Sequence, residues 1–199
     1  MRALTAAALL APLAAPLVAP LAAQAQPSLT PKRDYAATYT IDGAGPMNGE
    51  MRIAFSTALG IQRMEGGPMG MVMLMDPAKG SLTMIDAGNR RYMELTGGRS
   101  SAPWTDTERY RFERAGADRV AGIPCTTWRM LENNQPRGTA CATDDGIMLR
   151  SEWQREGSRG SITATTVSIT PQRAEDFRVP AGFTRMEMPT FGGPPPRRQ

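Results

Sequence analysis

Methionine occupies every second position in the stretch MGMVMLMD, at Met69, Met71, Met73 and Met75. Thioethers at this spacing suit two kinds of chemistry. They are soft ligands that accept copper(I). They are also unbranched and polarizable, so they re-pack around apolar ligands of varied shape. A third reading is plain core filling. On an extended strand alternate residues share a face, about 6.8 Å apart, so the four sulfurs form a row. Val72 and Leu74 then face the other way and are also apolar, which describes a strand covered on both sides. Met51, Phe55, Met64, Met84 and Met93 fall on neighbouring strand-like segments and extend the surface. Met69, Met71, Met73, Met75, Met84, Met93, Met51 and Phe55 are therefore the candidate ligand-binding set. Val72 and Leu74 between the sulfurs argue for a buried strand, whereas thioether copper sites favour exposed, polar segments.

Other site chemistry is largely excluded. The chain has no histidine, which removes the commonest general base and the usual zinc and copper(II) ligand. A Ser-His-Asp or Cys-His site is impossible. Gly66-Gly67-Pro68-Met69-Gly70 lacks the Lys-Ser/Thr that a phosphate-cradling loop needs. Asp144-Asp145 and Glu175-Asp176 are adjacent acids in turn-like sequence, where they shape turns or cap helices. No catalytic residue, cofactor or resident metal is assigned, and the chain reads as a non-enzyme.

The N-terminus points to export. Met1-Arg2 is followed by residues 3–23, almost all Ala, Leu, Pro and Val, and then by Ala23-Gln24-Ala25. This pattern predicts a signal peptide over 1–25, cleaved between Ala25 and Gln26. Prolines at 12, 16 and 20 oppose a persistent membrane helix. With no cysteine near the cut, the expected product is periplasmic or exported, not a lipoprotein, and without a transmembrane segment after cleavage. Residues 26–34 read as a linker and 35–188 as one β domain. Residues 189–199, rich in Pro, Gly and Arg, read as a disordered tail. The formal net charge is +4, with 23 basic and 19 acidic residues. Only Lys32 and Lys79 are lysines and the arginines are scattered, so no nucleic-acid patch is present.

Periodicity is mostly two, the strand signal. Strands are predicted at 35–41, 49–56, 60–65, 70–76, 81–86, 90–96, 109–115, 123–131, 139–143, 147–155, 160–169 and 183–188. Short turns join most of them, which predicts antiparallel neighbours. Helix is confined to Thr105–Tyr110 and Arg173–Phe177. Cys125 and Cys141 flank Glu132–Gly138. If the flanking segments form a hairpin centred near Asn133, the two lie opposite each other, and in an oxidising compartment they form a disulfide.

Several segments together resemble the DUF4412 family of exported bacterial proteins. They are Met51-Arg52-Ile53 with Gln62-Arg63-Met64-Glu65, the Met-rich strand, Asp76–Gly80, and Asn89–Glu94. In the second half come Val120–Trp128, Cys141–Gly146 and Phe177–Phe183. That family is similar in plan to periplasmic lipoprotein carriers of the LolA/LppX type. The resemblance implies a mainly β fold: a single curved antiparallel sheet, an incomplete barrel, with few short helices. It implies an apolar hollow that takes a lipid or a lipoprotein acyl chain. Copper(I) binding by the Met-x-Met row and an envelope protein-interaction or stress-sensing role are the alternatives.

Overall fold

The computed structural model describes residues 26–43, 45, 48–67, 70–96, 109–155 and 157–187. The predicted signal peptide, Met69, most of the Thr105–Tyr110 helix and the tail from 188 onward lie outside them. Twelve strands form one sheet. They are β1 (Tyr35–Asp42), β2 (Gly49–Ser56), β3 (Ile61–Gly66), β4 (Met71–Asp76), β5 (Ser81–Asp86), β6 (Arg91–Thr96), β7 (Arg111–Val120), β8 (Ile123–Glu132), β9 (Gln135–Ala142), β10 (Met148–Arg155), β11 (Ser158–Ser168) and β12 (Thr184–Arg185).

Strands β3 to β6 are hairpin-linked six-residue segments that begin every ten residues. The residue before each is left-handed: Gly60, Gly70, Gly80 and Arg90, with φ of 66°, 58°, 58° and 52°. Glycine meets that demand without strain, and Arg90 is the exception. Carboxylates fix two of these turns. Asp76 accepts from the Lys79 amide at 3.1 Å and Asp86 from the Asn89 amide at 3.0 Å.

Two antiparallel meanders, β1–β6 and β7–β11, are joined by one long-range pairing. β1 runs antiparallel to β11 from Ala36 opposite Ser168 to Asp42 opposite Ser161. The full order is β12-β6-β5-β4-β3-β2-β1-β11-β10-β9-β8-β7. The expectation of a strongly curved antiparallel sheet, an incomplete barrel with few short helices, is overturned. The sheet is open, with β12 and β7 as its edges. The β1–β11 ladder puts the join at mid-sheet and no ladder links the edge strands β12 and β7, so the sheet does not close. The sheet is also mixed, since β12 runs parallel to β6. The four-residue 3-10 turn Ala174–Phe177 is a helical segment among the described residues.

One core cluster gathers Tyr35, Tyr39, Met51, Ile53 and Phe55 with Ile147, Leu149, Ile162 and both cysteines. A smaller one holds Tyr110, Phe112, Met130 and Ala140. Tyr39 is buried, and its hydroxyl donates to the Met148 carbonyl at 2.8 Å. Burial pushes the Tyr35 hydroxyl up to about 12, although its hydrogen bond with Tyr39 works in the other direction.

The disulfide forms between Cys125 and Cys141, with Cα atoms 5.5 Å apart. The cysteines are diagonal, not directly opposite as expected: Cys141 faces Thr127, and a register shift falls between Met130 and Leu131. Replacing both cysteines by alanine is expected to cost about 2–5 kcal/mol. Denaturant unfolding without reductant measures it, and the wild type should lose a similar amount when reduced.

Asp34 ties three segments together. Its carboxylate accepts from the Thr57 amide at 2.7 Å, the Thr57 hydroxyl at 2.5 Å and the Gln172 amide at 2.8 Å. Partial burial raises its pKa, but the bonds from Thr57 and Gln172 outweigh it and hold the carboxyl below its ordinary value. A lowered folded-state value means the contribution is present above the ordinary carboxylate range and is lost as pH falls through the folded value. Asp34→Asn should thus be less stable at neutral pH and lose less on acidification below about pH 4. Thermal melts across pH for both proteins check this.

Candidate functional site

Strands β2 to β6 pair without a register shift, so the period of two determines which side chains share a face. One cross-strand row runs Ile53, Met64, Met73, Met84, Met93. A second runs Phe55, Gln62, Met75, Leu82, Leu95, and a third Met51, Gly66, Met71. The seven described members of the predicted set therefore lie on a single face. Directly opposed residues on one face sit about 4.5–5.5 Å apart at Cβ, so Met64 to Met93 form a continuous ladder of thioethers.

That face changes character along the ladder. Met51, Phe55 and Met64 are buried at 4%, 7% and 7% exposure, and they belong to the main core. For these three the core-filling reading holds. Met71, Met73, Met75, Leu82, Met84, Met93 and Leu95 are only half-buried, with Met73 and Met75 leaning against the core. Strands β4 to β6 thus carry a patch of apolar side chains still open to solvent.

The other face is partly covered, with Val72, Thr83 and Tyr92 half-buried and Arg52 and Glu94 exposed. Ala54, Leu74 and Ile85 are buried there at 6%, 6% and 2% exposure. After β11 the chain passes Asp34 at Gln172, touches β3 at the 3-10 turn, and ends as β12 on β6. It crosses on the Leu74 side, because Arg63, opposite Leu74 in register, donates from Nη1 to the Asp176 carbonyl at 2.6 Å. Phe177 in that strap is 2% exposed. The Thr184 amide donates to Arg90 and the Met186 amide to Tyr92, at 2.9 and 2.7 Å.

Leu82 and Leu95 complete the surface, though the candidate set omits them. The ten-residue spacing of the hairpins is the signal that could have found them, since it fixes the register of β3 to β6. No group of three His, Cys, Asp or Glu residues that could hold a metal occurs among the described residues. Along β4 the sulfurs are separated by half-buried Val72 and buried Leu74 on the opposite face, which is strand packing and not a flexible thioether loop. The chain has no histidine, and the two adjacent-acid pairs lie in the turn before β10 and in the 3-10 turn.

Among solved structures, an uncharacterised conserved protein from Thermus thermophilus is similar. It has TM-score 0.57 and 10% identity, covering 78% of this chain and 90% of that one. MucB is similar with TM-score 0.50 and 14% identity, covering 77% of this chain. The chain spans 60% of the MucB chain. A LolA superfamily protein from Nitrosomonas europaea reaches only TM-score 0.36, too low to support a comparison. These likenesses show a shared, distant fold. No family model and no curated protein matches the chain, so membership of the DUF4412 family is not supported. No helix among the described residues is long and apolar enough to cross a membrane.

The exposure gradient predicts different costs for equivalent truncations. Met64→Ala should cost about 2–5 kcal/mol as a core cavity. Met84→Ala and Met93→Ala should each cost less than about 1.5 kcal/mol, because less apolar area leaves contact. Urea denaturation of the three variants makes the comparison.

Proposed function

We propose that this is a non-catalytic exported binding protein that takes an apolar ligand, a lipid or lipoprotein acyl chain, on the methionine face of β4 to β6. The observation that carries the reading is the half-buried patch of Met71, Met73, Met75, Leu82, Met84, Met93 and Leu95 on one face of three adjacent strands. Exposed apolar clusters of this kind mark interaction surfaces. Thioether side chains adapt to a long, flexible hydrocarbon at small cost. The opposite face carries charged Arg52, Arg63, Glu65 and Glu94 among its apolar residues, so the methionine face is the more apolar of the two. The signal-like sequence of residues 1–25 supports a binding event outside the cytoplasm, in the periplasm of a two-membrane cell.

A second reading has its own observation. MucB, which shares the fold, is described in complex with MucA. By analogy, the same apolar face would accept a segment of an envelope protein, giving a protein-interaction or stress-sensing role. Copper(I) binding by the Met-x-Met row is the weaker alternative, since the ladder merges at Met64 into the packed core.

Binding of a fluorescent fatty acid to the purified protein tests the first reading. Saturable binding is expected, weakened about tenfold or more by Met73→Glu combined with Met84→Glu, which puts charge against hydrocarbon. Absence of binding by the folded wild type refutes acyl-chain carriage. Photo-crosslinking from position 84 in cells would then show whether a protein occupies the face.

A further inference from the structure

The methionine face carries a reactive group that ligand binding leaves unused. Peroxides convert thioethers to sulfoxides, and an accessible sulfur reacts first. Both cysteines are joined in the buried Cys125–Cys141 disulfide, so the chain holds no free thiol. Its oxidisable sulfur is thioether, and the sheet sorts the thioethers into grades. Met51, Met64 and Met130 are closed to solvent, at 4%, 7% and 3% exposure. Met73 and Met75 are half-buried and pack against the main core. Met71, Met84 and Met93 are half-buried and belong to neither core cluster.

Register makes this last group a poor host for a sulfoxide under hydrocarbon. Met84 stands opposite Met73 on β4 and Met93 on β6. Neither neighbour has an N–H or O–H to offer. The amides of β5 lie in the plane of the sheet and bond to β4 and β6. Arg91, the cation nearest by register on this face, is exposed and stands opposite Asp86. An S=O oxygen on Met84 is thus flanked by thioethers and draws its hydrogen bonds from solvent. Met75 differs, because it faces the amide side chain of Gln62. An acceptor covered by an acyl chain without a donor keeps its desolvation penalty.

We propose that Met71, Met84 and Met93 form a reversible oxidation site that switches the methionine face from apolar to polar. A sulfur lone pair attacks one oxygen of hydrogen peroxide. The S–O bond forms, the O–O bond breaks, and the other oxygen leaves as water. Sulfur is oxidised by two electrons and the peroxide is reduced. A dithiol-dependent sulfoxide reductase reverses the step: its two thiols close to a disulfide and the oxygen leaves as water. The core methionines stay reduced, so the sheet keeps its fold while the face loses its hold on hydrocarbon. As a control over ligand release this rests on the acyl-chain reading of the face; as a modification site it does not.

Hydrogen peroxide treatment of the folded full chain, followed by peptide mass spectrometry, tests the site. Sulfoxide is expected on Met71, Met84 and Met93 before Met51, Met64 and Met130, with the circular dichroism spectrum unchanged. The oxidised protein should bind the fluorescent fatty acid about tenfold or more weakly, the scale of one unsatisfied buried acceptor. Treatment with methionine sulfoxide reductase and dithiothreitol should restore binding. Met71→Leu, Met84→Leu and Met93→Leu together conserve apolar volume and take up no oxygen, so this variant should keep most of its affinity through the same treatment. Retention on a phenyl column is a readout that needs no ligand: oxidised wild type should elute earlier, and the leucine variant should shift less. If the reduced chain binds no fatty acid, acyl carriage is refuted, and the sulfoxide map and the column decide the switch. Oxidation of Met51, Met64 or Met130 as fast as Met84, unchanged retention of the oxidised wild type, or an equal loss of retention by the leucine variant overturns the proposal. Met84→Leu alone makes the same comparison if the triple variant does not fold.

Discussion

The antiparallel pairing of β1 with β11 is the constraint on which the rest of the molecule depends. Every other long pairing joins strands that are neighbours in sequence. The β1–β11 ladder alone brings Ala36 against Ser168 and Ile41 against Ile162. It turns two local meanders into one sheet and sets their apolar residues in one core. Tyr39 reinforces it by reaching the Met148 carbonyl on β10, and the Cys125–Cys141 bridge ties the second meander to that core. Closing so long a loop costs conformational entropy that grows only slowly with length. The buried side chains along β1 offset it.

The same pairing explains why the two faces of the first meander differ. It leaves β11 beside β1, so the segment after β11 starts at the middle of the sheet and can run across β2 to β5 before reaching β6. Asp34 holds its start and the Arg63–Asp176 contact its middle. The strap therefore lies on the Leu74 side of the sheet. The methionine face meets the core only as far as β3, with Met73 and Met75 at the boundary. Beyond it the apolar side chains remain half-exposed, and that is the physical basis for reading a binding surface.

Much of this is legible in the sequence. Strands β2 and β5 have the bounds their alternation predicts, and most others lie within one or two residues of theirs, because alternation and Gly-containing turns are local signals. β9 begins earlier than its alternation suggests, at Gln135, since Pro136 and Gly138 hide the pattern. The face shared by Met71, Met73 and Met75 follows from period two. Its partners Leu82 and Leu95 require register, which the ten-residue spacing of Gly60, Gly70 and Gly80 encodes but which is easily missed because Arg90 breaks the pattern. The openness of the sheet is not legible: it depends on which distant strands bond, and alternation is the same in an open sheet and a barrel.

Methyl NMR of methionine-labelled protein during titration with a fatty acid tests the central claim most directly. Each thioether methyl reports its own surroundings. Shifts concentrated on Met71, Met73, Met75, Met84 and Met93, with Met130 and Met148 unmoved, are the predicted result. Shifts confined to Met130 and Met148, or a titration that moves none of the methionines while the protein stays folded, would contradict it.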